Sequence, residues 1–310
     1  MRQPSRHGWH VLRVLIRLTG FMSSHYYVLH KVNGTAVMIL IDGKSENTIP
    51  ADDRGLAYGD GLFETIKIQN GRPILWQSHI DRLVKGCRVL GLQEPDGRKL
   101  FEECTQLTAG SEKGIIKIML TRGSGGRGYK PDDTCVTRRI VSFHRWPEIP
   151  EEYYTHGINL YKCTTPVTDN RLLAGLKTLC RLEQVMAQRE WAEPDYAEGL
   201  MLDNNGLVIE GTRSNIFVFI DSKLYTPVLA KSGIRGIMRD IVMDIADGLG
   251  MPAQESDISH TMFIEADEVF VCNSIFMVFP VAKYLDKQFD SFVQTRMIMN
   301  SLESNISRYE

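Results

Sequence analysis

Val208-Ile-Glu-Gly-Thr-Arg-Ser-Asn-Ile-Phe-Val218 places one acid, Glu210, between two apolar runs. Short apolar runs of this kind predict buried strands, so the acid stands where one strand gives way to a turn. An ordinary ion pair with Arg213 would explain a carboxylate at such a position. The other explanation is a carboxylate that serves a buried cationic group. The stretch therefore predicts β-structure and leaves both roles for Glu210 open.

A lysine with an unusual setting precedes this stretch, in Arg171-Leu-Leu-Ala-Gly-Leu-Lys-Thr-Leu-Cys-Arg-Leu-Glu-Gln-Val185. The leucines recur at helical spacing, and we predict a helix from Leu176 to Trp191. Apolar neighbours and nearby arginines lower the pKa of an amine, which a lysine needs in order to attack a carbonyl. Lys177 is thus a candidate Schiff-base residue, and a solvated surface lysine is the alternative.

A third feature is Lys231-Ser-Gly-Ile-Arg-Gly-Ile-Met238, just ahead of an amphipathic stretch. The N-terminus of a helix attracts phosphate through its free amide groups and its dipole. Gly236 lets the backbone approach an anion closely, and the amides of Ile237 and Met238 would face it. A simple helix start is the alternative.

Two further candidates for phosphate contact stand elsewhere in the chain. Asn273 and Ser274 follow a predicted strand, where a plain turn is the other interpretation. Arg82 lies beside His79 on a predicted helix, and a guanidinium grips phosphate through two hydrogen bonds. A solvated helix face would also explain Arg82.

An amine, a carboxylate for the pyridinium nitrogen and a phosphate cradle are what pyridoxal 5'-phosphate requires of a protein. The sequence therefore predicts an enzyme that uses this cofactor. The loop Arg122-Gly-Ser-Gly-Gly-Arg-Gly-Tyr129 has four glycines, and its Arg127 and Tyr129 are candidates to hold a substrate carboxylate. It is not a nucleotide-binding P-loop, because no Gly-Lys-Ser/Thr follows.

Composition narrows the class of partner. The 310 residues are 43% apolar, and 36 basic and 38 acidic side chains give a formal charge of -2, so small molecules are favoured over nucleic acid. Six cysteines are far apart without a C-x-x-C pair, which argues against zinc and a disulfide framework and for a cytoplasmic protein. No apolar stretch is long enough to span a membrane.

The first 37 residues contain no acid but carry Arg2, Arg6, Arg13 and Arg17. We predict that residues 1–37 are an extension, disordered or not native to the folded protein. Translated upstream sequence, with a start at Met22 or Met38, and an organelle transit peptide both explain such a composition.

Beyond it, the periodicity predicts two domains. In residues 38–150, strands at Val37–Ile41 and Phe63–Gln69, the latter in a hairpin with Arg72–Trp76, mix with helices at Gln77–Leu92 and Pro95–Thr108. Two more strands, Ile115–Thr121 and Arg138–Phe143, follow. The elements do not alternate strictly, so we predict an α+β domain that ends near residue 150.

We predict a larger domain over residues 151–290, followed by a tail over residues 291–310 that is helical or frayed. Strands are predicted at 158–163, 200–202, 207–209, 216–220, 268–272 and 277–280, with a helix at 237–249.

Together these features resemble the fold-type IV pyridoxal-phosphate enzymes, which include branched-chain and D-amino-acid aminotransferases and aminodeoxychorismate lyases. The signature positions that match are Glu210, Thr212, Asn215, Ile216, Phe217, Thr226, Ile234, Gly236, Ile237 and Arg239. In the first half, Asp53-Arg-Gly-Leu-Ala-Tyr-Gly-Asp-Gly-Leu-Phe-Glu64 and His79-Ile-Asp-Arg-Leu83 are also similar. The resemblance implies a small α+β domain, a larger β-barrel-like domain with flanking helices, and a homodimer.

Within that family the glycine loop and the lysine segment are most similar to the lyases, which act on 4-amino-4-deoxychorismate. The resemblance implies that Lys177 forms the Schiff base and acts as acid and base, and that Glu210 binds the pyridinium. It implies that the phosphate is bound by Arg82, by the backbone of Gly236, Ile237 and Met238, and by Asn273 and Ser274. Substrate contacts would come from Tyr58, Arg127 and Tyr129.

Cys180 is the one departure, since the family pattern has Asn at this position. Its consequence for rate or substrate preference is open. An aminotransferase acting on D-amino or branched-chain amino acids with 2-oxoglutarate is the second reading of the sequence, and an inactive scaffold is the third.

Overall fold

The computed structural model describes residues 14–17, 26–32 and 35–309, with side chains from residue 38 onward. Two β-sheets, each covered by helices, account for most of this part of the chain. No helix within it has the length and apolar character needed to cross a membrane.

The first sheet is entirely antiparallel and uses seven strands in the order β1-β2-β3-β7-β6-β4-β5. Its strands are β1 (Val14–Arg17), β2 (Tyr26–Val32), β3 (Thr35–Ile41), β4 (Gly61–Gln69), β5 (Arg72–Pro73), β6 (Lys113–Thr121) and β7 (Arg138–Arg145). Its helices are α1 (Arg54–Tyr58), α2 (Trp76–Leu90) and α3 (Gly97–Thr108).

The core of this half forms where one face of the sheet meets α2 and α3. Alternate residues of β4 are buried, and Leu62, Ile66 and Ile68 pack with Leu83 of α2 and Leu100 of α3. A strand with period-two burial against an amphipathic helix is a self-consistent pair, because each buries the apolar face of the other. This packing fixes the position of β4, and with it the side chains on the other face of the strand.

The second half contains a ten-stranded sheet in the order β13-β12-β11-β15-β16-β8-β9-β10-β14, with β17 beside β16. Its strands are β8 (Ile158–Lys162), β9 (Tyr196–Leu202), β10 (Leu207–Gly211), β11 (Asn215–Ile220), β12 (Lys223–Pro227), β13 (Gln254–Ser256), β14 (Ile258–Ser259), β15 (Glu268–Asn273), β16 (Met277–Tyr284) and β17 (Lys287–Gln288). The helices are α4 (Glu152–Thr155), α5 (Leu182–Gln188), α6 (Ile237–Gly248), α7 (His260–Glu265) and α8 (Val293–Asn305), and a 3-10 turn follows at Ile306–Tyr309.

This sheet curls upon itself, because β12 near one end contacts β14 at the other. Val218, Val269 and Val271 point into the enclosed core, while the alternate residues Phe217 and Phe270 pack outward against α6 and α8. The predicted α+β fold with a barrel-like second sheet is therefore confirmed. The change of sheet falls between Arg145 and Ile158, and the boundary near residue 150 stays a prediction.

Most predicted elements are present within a few residues, but two predictions are wrong. The strand of the hairpin after Asn70-Gly71 ends at Pro73, and Trp76 already begins α2. The helix predicted over Leu176–Trp191 exists only as α5, so Lys177 lies in a non-helical segment before it. The predicted tail is mainly α8.

The predicted extension is described only in part. Two of its stretches, Val14–Arg17 and Tyr26–Val32, are strands that pair with each other, and the second pairs with β3. The rest of residues 1–34 lies outside the described residues, and the disordered or non-native character of the extension stays a prediction.

Candidate active site

Lys177 lies in a non-helical segment that is hydrogen-bonded on both sides. The amide of Phe63 donates to the carbonyl of Lys177 at 3.0 Å, and the amide of Leu179 donates to the carbonyl of Gly61 at 3.0 Å. On the other side, Gly175 pairs with the stretch 233–235 and has a φ of 80°, which glycine adopts without strain. These bonds replace those of a helix, which explains why the leucine spacing mispredicted the segment.

The amine of Lys177 lines a cavity and lies over the ring of Phe63, 4.4 Å from the ring centroid. Burial lowers its pKa from 10.5 to about 8, and the positive charges of Arg82 and Arg181 add to the lowering. A substantial fraction of the amine is therefore neutral near pH 8. This is the state that a lysine needs in order to act as a nucleophile or a base.

Glu210 belongs to β10 and is 3% exposed. Its carboxylate accepts hydrogen bonds from the amide of Ile234 at 2.7 Å and from the side chain of Gln184 at 3.2 Å. Burial raises its pKa above the usual value, against the effect of that Ile234 bond and of nearby cations. The ion pair with Arg213 is absent among the described contacts of Glu210, since Arg213 lies 3.6 Å from Glu198 instead.

Both side chains line the same cavity, whose volume is about 460 Å³. The wall combines apolar surface with a few convergent polar groups, as in a small-molecule site. Besides Lys177 and Glu210 it includes Phe63, Arg82, Arg181, Gln184, Arg213, Asn215, Gly236, Ile237, Met238, Asn273 and Ser274.

The N-terminus of α6 opens onto this cavity. Gly236 is its N-cap, and the first amide groups of a helix have no partner inside it, so they are free to bind an anion. A Cβ at position 236 would overlap the Oδ1 atom of Asn215, whose amide donates to the carbonyl of Ile234 at 2.8 Å. Only glycine keeps the backbone this close.

Arg82 reaches the same place from the first sheet. Its Nε and Nη2 atoms donate to both oxygens of Glu64, at 2.7 and 2.6 Å, and its Nη1 atom donates to the carbonyl of Arg235 at 3.1 Å. Arg82 thus connects α2 to the residue before the N-cap of α6. The solvated helix face is not what the structure shows.

Glu64 is buried and also receives His79, with 2.7 Å between Nδ1 and the carboxylate. Burial alone would raise the pKa of Glu64, but the charge of Arg82 and the hydrogen bonds from His79 and Arg82 lower it to about 2. Burial lowers the pKa of His79, so its ring is neutral at pH 7. Glu64 therefore balances the charge of Arg82 and fixes its direction.

Asn273 and Ser274 follow β15 and also reach the cavity wall. Asn273 accepts hydrogen bonds from the amides of Ile275 and Phe276 and donates to the carbonyl of Arg213 at 3.0 Å. The Ser274 hydroxyl donates to the carbonyl of Thr65 at 3.2 Å. Asn273 and Ser274 therefore form a turn and also lie in the cavity wall, so the two interpretations of the sequence do not exclude each other.

The structure does not bring Tyr58, Arg127 and Tyr129 to this cavity. Tyr58 lines a neighbouring depression behind the lysine segment, and its ring is 5.6 Å from that of Tyr129. Tyr129 is 88% exposed, and Arg127 is exposed as well. Arg54 donates to the carbonyls of Gly128 and Tyr129 and so fixes the end of the loop.

Glu64, Arg181 and Gln184 are among the residues at or beside the cavity that were not assigned from the sequence. Glu64 had a usable signal, because it occupies a buried position of β4 between Leu62 and Ile66. An acid at an apolar position of a strand requires a buried partner. Arg181 and Gln184 gave no such signal, because Gln184 lies within the helix α5 and Arg181 directly before it, where a polar residue is ordinary.

With this geometry described, comparisons with known proteins identify the family. The family model for class IV amino-transferases matches residues 61–284. The chain belongs to this family. Its members depend on pyridoxal phosphate, in agreement with a cavity that combines an amine, a carboxyl group and a helix N-terminus.

Individual members of the class IV family give a finer comparison. An aminodeoxychorismate lyase from Vibrio harveyi is 35% identical over 245 residues, covering 79% of this chain and 90% of the relative. The crystal structure of the 4-amino-4-deoxychorismate lyase from Pseudomonas aeruginosa is 39% identical, with a TM-score of 0.83 over 86% of this chain and 99% of that one. A D-alanine aminotransferase from Bacillus licheniformis is 28% identical over 249 residues, 77% of this chain and 83% of the relative.

Proposed function

We propose that this class IV protein is a pyridoxal-phosphate-dependent lyase. It converts 4-amino-4-deoxychorismate to 4-aminobenzoate and pyruvate, a step of folate biosynthesis. The observation that carries the proposal is the joint presence of Lys177, Glu210 and the N-terminus of α6 in one cavity. The two relatives at 35% and 39% identity, both described as lyases of this substrate, support the choice of reaction.

The residues present fit the cofactor. Gly236 has no side chain that could cover the start of α6, and it lies close to Asn215. The first amide groups of α6 are therefore free to bind a phosphate, and Arg82 lies beside them. We assign the phosphate to Arg82, to the backbone of Gly236, Ile237 and Met238, and to Asn273 with Ser274. Lys177 is the point of covalent attachment, and Glu210 is the partner of the ring nitrogen.

When bound, pyridoxal phosphate accepts the electron pair that a substrate carbon releases as it loses a proton. Nζ of Lys177 takes that proton from the ring carbon bearing the amino group. The same atom then protonates the enolpyruvyl group as its carbon–oxygen bond breaks, so the proton is returned and pyruvate is released. The carbon ring becomes aromatic, which drives the step.

Glu210 contributes by its position rather than by proton transfer to the substrate. Its two hydrogen bonds, from Ile234 and Gln184, fix the carboxyl group in the cavity wall. A carboxylate here stabilises positive charge on a ring nitrogen held opposite it. Because burial raises its pKa, Glu210 is also suited to share a proton with that nitrogen.

The test is product identification. The purified protein with pyridoxal phosphate is incubated with 4-amino-4-deoxychorismate, and 4-aminobenzoate and pyruvate are measured. A second incubation contains D-alanine or leucine with 2-oxoglutarate. We expect both lyase products in the first and little glutamate in the second. Glutamate in the second incubation, with no 4-aminobenzoate formed in the first, would contradict the lyase assignment and support the aminotransferase alternative.

The variant K177A tests the role of the lysine. We expect its lyase activity to fall by at least about a thousandfold, because the proton-transferring group is lost. The matched control is K67A, since Lys67 is another lysine whose pKa burial lowers, yet it does not line the cavity. An active K177A, or an equal loss in K67A, would contradict the assignment.

We further propose a homodimer in the cytoplasm. Leu56, Tyr58, Leu182 and Val185 are all more than 40% exposed and line one depression, so exposed apolar side chains are grouped there. A second copy seated there would cover them. It would also allow Tyr58, Arg127 and Tyr129 to act on the substrate in the partner's cavity rather than in their own.

A further inference from the structure

Among residues 38–309, no carboxylate lies within 4 Å of the guanidinium of Arg181, although its charge helps to lower the pKa of Glu210 against the effect of burial. Arg181 stands directly before α5 and is half-buried. The other arginines that are buried or half-buried in the described part of the chain all form ion pairs with carboxylates: Arg54, Arg82, Arg122, Arg138, Arg139 and Arg239. No such pair is found for Arg181 among the described residues. Arg181 is therefore the half-buried arginine of the described residues that has no direct ion pair, with the more distant Glu210 acting on its charge.

Its hydrogen bonds are also incomplete. Nη2 donates to the hydroxyl of Thr178 at 2.9 Å, whereas Nε is buried and has no partner within residues 38–309. A buried donor without an acceptor costs free energy, and a buried charge without a partner costs more. A ligand that supplied an acceptor to Nε would remove this cost on binding.

The free donors are placed at the reaction centre. Arg181 lines the same cavity as Lys177 and Glu210. Arg181 also lines the depression on the far side of the lysine segment, so its side chain lies between the cavity and the depression. Of the arginines that line this cavity, Arg82 is paired with Glu64 and Arg213 with Glu198, whereas the described residues give Arg181 no carboxylate within 4 Å, so Arg181 is free to bind a second anionic group.

We propose that Arg181 binds an oxyanion that a ligand carries into the cavity beside Lys177. The inference rests on the proposed function for the identity of that ligand. Two oxyanions have the right chemistry: a carboxylate of the substrate, and the ring oxygen of pyridoxal phosphate. A guanidinium suits either one, because its planar donors match a carboxylate and its permanent charge favours an ionised ring oxygen.

Equilibrium binding to the variants R181Q and R181K separates these sources. For the substrate, 4-aminobenzoate and its uncharged analogue 4-aminobenzamide are titrated into the protein loaded with pyridoxal phosphate. For the cofactor, pyridoxal phosphate and its 3-O-methyl ether are titrated into the cofactor-free protein. The control variant is R189Q, because Arg189 is an exposed arginine at the other end of α5. Thermal unfolding confirms that each variant is folded.

We expect R181Q to weaken the charged member of one pair by roughly tenfold or more, and the uncharged member by less than about twofold. R181K should recover part of the loss, and R189Q should bind like the wild type. A selective loss of 4-aminobenzoate identifies the substrate carboxylate, and a selective loss of pyridoxal phosphate identifies the ring oxygen.

Two results would overturn the inference: no change for either anion in R181Q, or an equal loss for charged and uncharged members. The second result would mean that Arg181 only shapes the cavity. If R181Q is unfolded, the same titrations on R181K decide, with any selective weakening of the charged member as the supporting result. A wild-type protein that binds no pyridoxal phosphate would instead reject the proposed function itself.

Discussion

At the scale of single residues, the chemistry depends on an amine that is neutral at moderate pH. Because the fold lowers the pKa of Lys177 from 10.5 to about 8, we expect its reactivity to rise with pH around a midpoint near 8. Acetylation of the cofactor-free protein at a series of pH values, followed by peptide mass spectrometry, measures this for each lysine. Exposed Lys231 serves as the comparison within the same sample. A midpoint for Lys177 near its ordinary value of 10.5 would contradict the proposed environment.

A second prediction concerns Glu64. In E64Q, Arg82 loses its counter-charge, so we expect the protein to lose about 3 kcal/mol of stability and to bind pyridoxal phosphate more weakly. The pKa of Glu64 is lowered from 4.5 to about 2, so its stabilising effect is present above pH 4.5 and is lost as the pH falls toward 2. Denaturant unfolding at pH 7 and at pH 3 measures the loss of stability and its dependence on pH.

The destabilisation by E64Q should therefore be larger at pH 7 than at pH 3. The control is E94Q, since Glu94 pairs with Arg88 on the exposed surface, where an ion pair contributes little. An E64Q protein as stable as the wild type at pH 7 would contradict the role given to this carboxylate.

How far the sequence predicts such residues depends on where their partners lie. Glu210 and Gly236 stand in a recognisable local pattern, and the structure places both in the cavity wall. Glu64, His79 and Arg82 meet across a strand and a helix, with Arg82 18 positions beyond Glu64. These three residues come into contact only through tertiary packing, which a short stretch of sequence does not reveal. Arg181 was missed because a polar residue directly before a helix is ordinary.

At the scale of elements, we propose that the start of α6 holds the phosphate of the cofactor. In G236A, the added methyl group would overlap Asn215 and displace the first turn of α6. We expect the affinity for pyridoxal phosphate to fall by roughly tenfold or more, with a stability loss of about 1–3 kcal/mol. Spectroscopic titration of the cofactor and thermal unfolding provide the two measurements.

Gly248 offers a matched control at the other end of the same helix, because a Cβ there meets nothing within 4 Å. G248A should bind the cofactor like the wild type and gain up to about 1 kcal/mol of stability from its helix propensity. Unchanged cofactor binding in G236A would show that the start of α6 does not hold the phosphate.

Elements with a strong internal pattern were predicted well. α2, β4 and β6 were found within two residues of their predicted bounds, because each has a clear apolar period. The helix predicted for the lysine segment was wrong although its leucines stand at helical spacing. The backbone of this segment forms hydrogen bonds with the start of β4 on one side and with the stretch 233–235 on the other. Edge strands such as β13, with three residues, were missed because they are too short to show a period.

At the scale of the whole molecule, the proposed dimer makes a distinct prediction. Leu182 is 76% exposed and lines the depression, so an aspartate there would place a charge inside the interface. We expect L182D to sediment as a monomer at concentrations where the wild type is a dimer. V293D is the control, because Val293 is 66% exposed and also begins a helix, α8, but does not line the depression. A monomeric wild type, or a dimeric L182D, would contradict the proposed surface.

The general architecture followed from the sequence, but the arrangement of the sheets did not. Periodicity and composition predict α+β structure, and the family resemblance adds the barrel-like second half. The contact between β12 and β14 that curls the second sheet joins distant parts of the chain, and only the folded structure reveals it.

The central claim is that the amine of Lys177 attaches pyridoxal phosphate opposite the carboxyl group of Glu210. The most direct test is to load the purified protein with the cofactor, reduce it with borohydride and map the labelled peptide. The account predicts one phosphopyridoxyl group per chain, on Lys177. A label on another lysine, or no label at all, would contradict it.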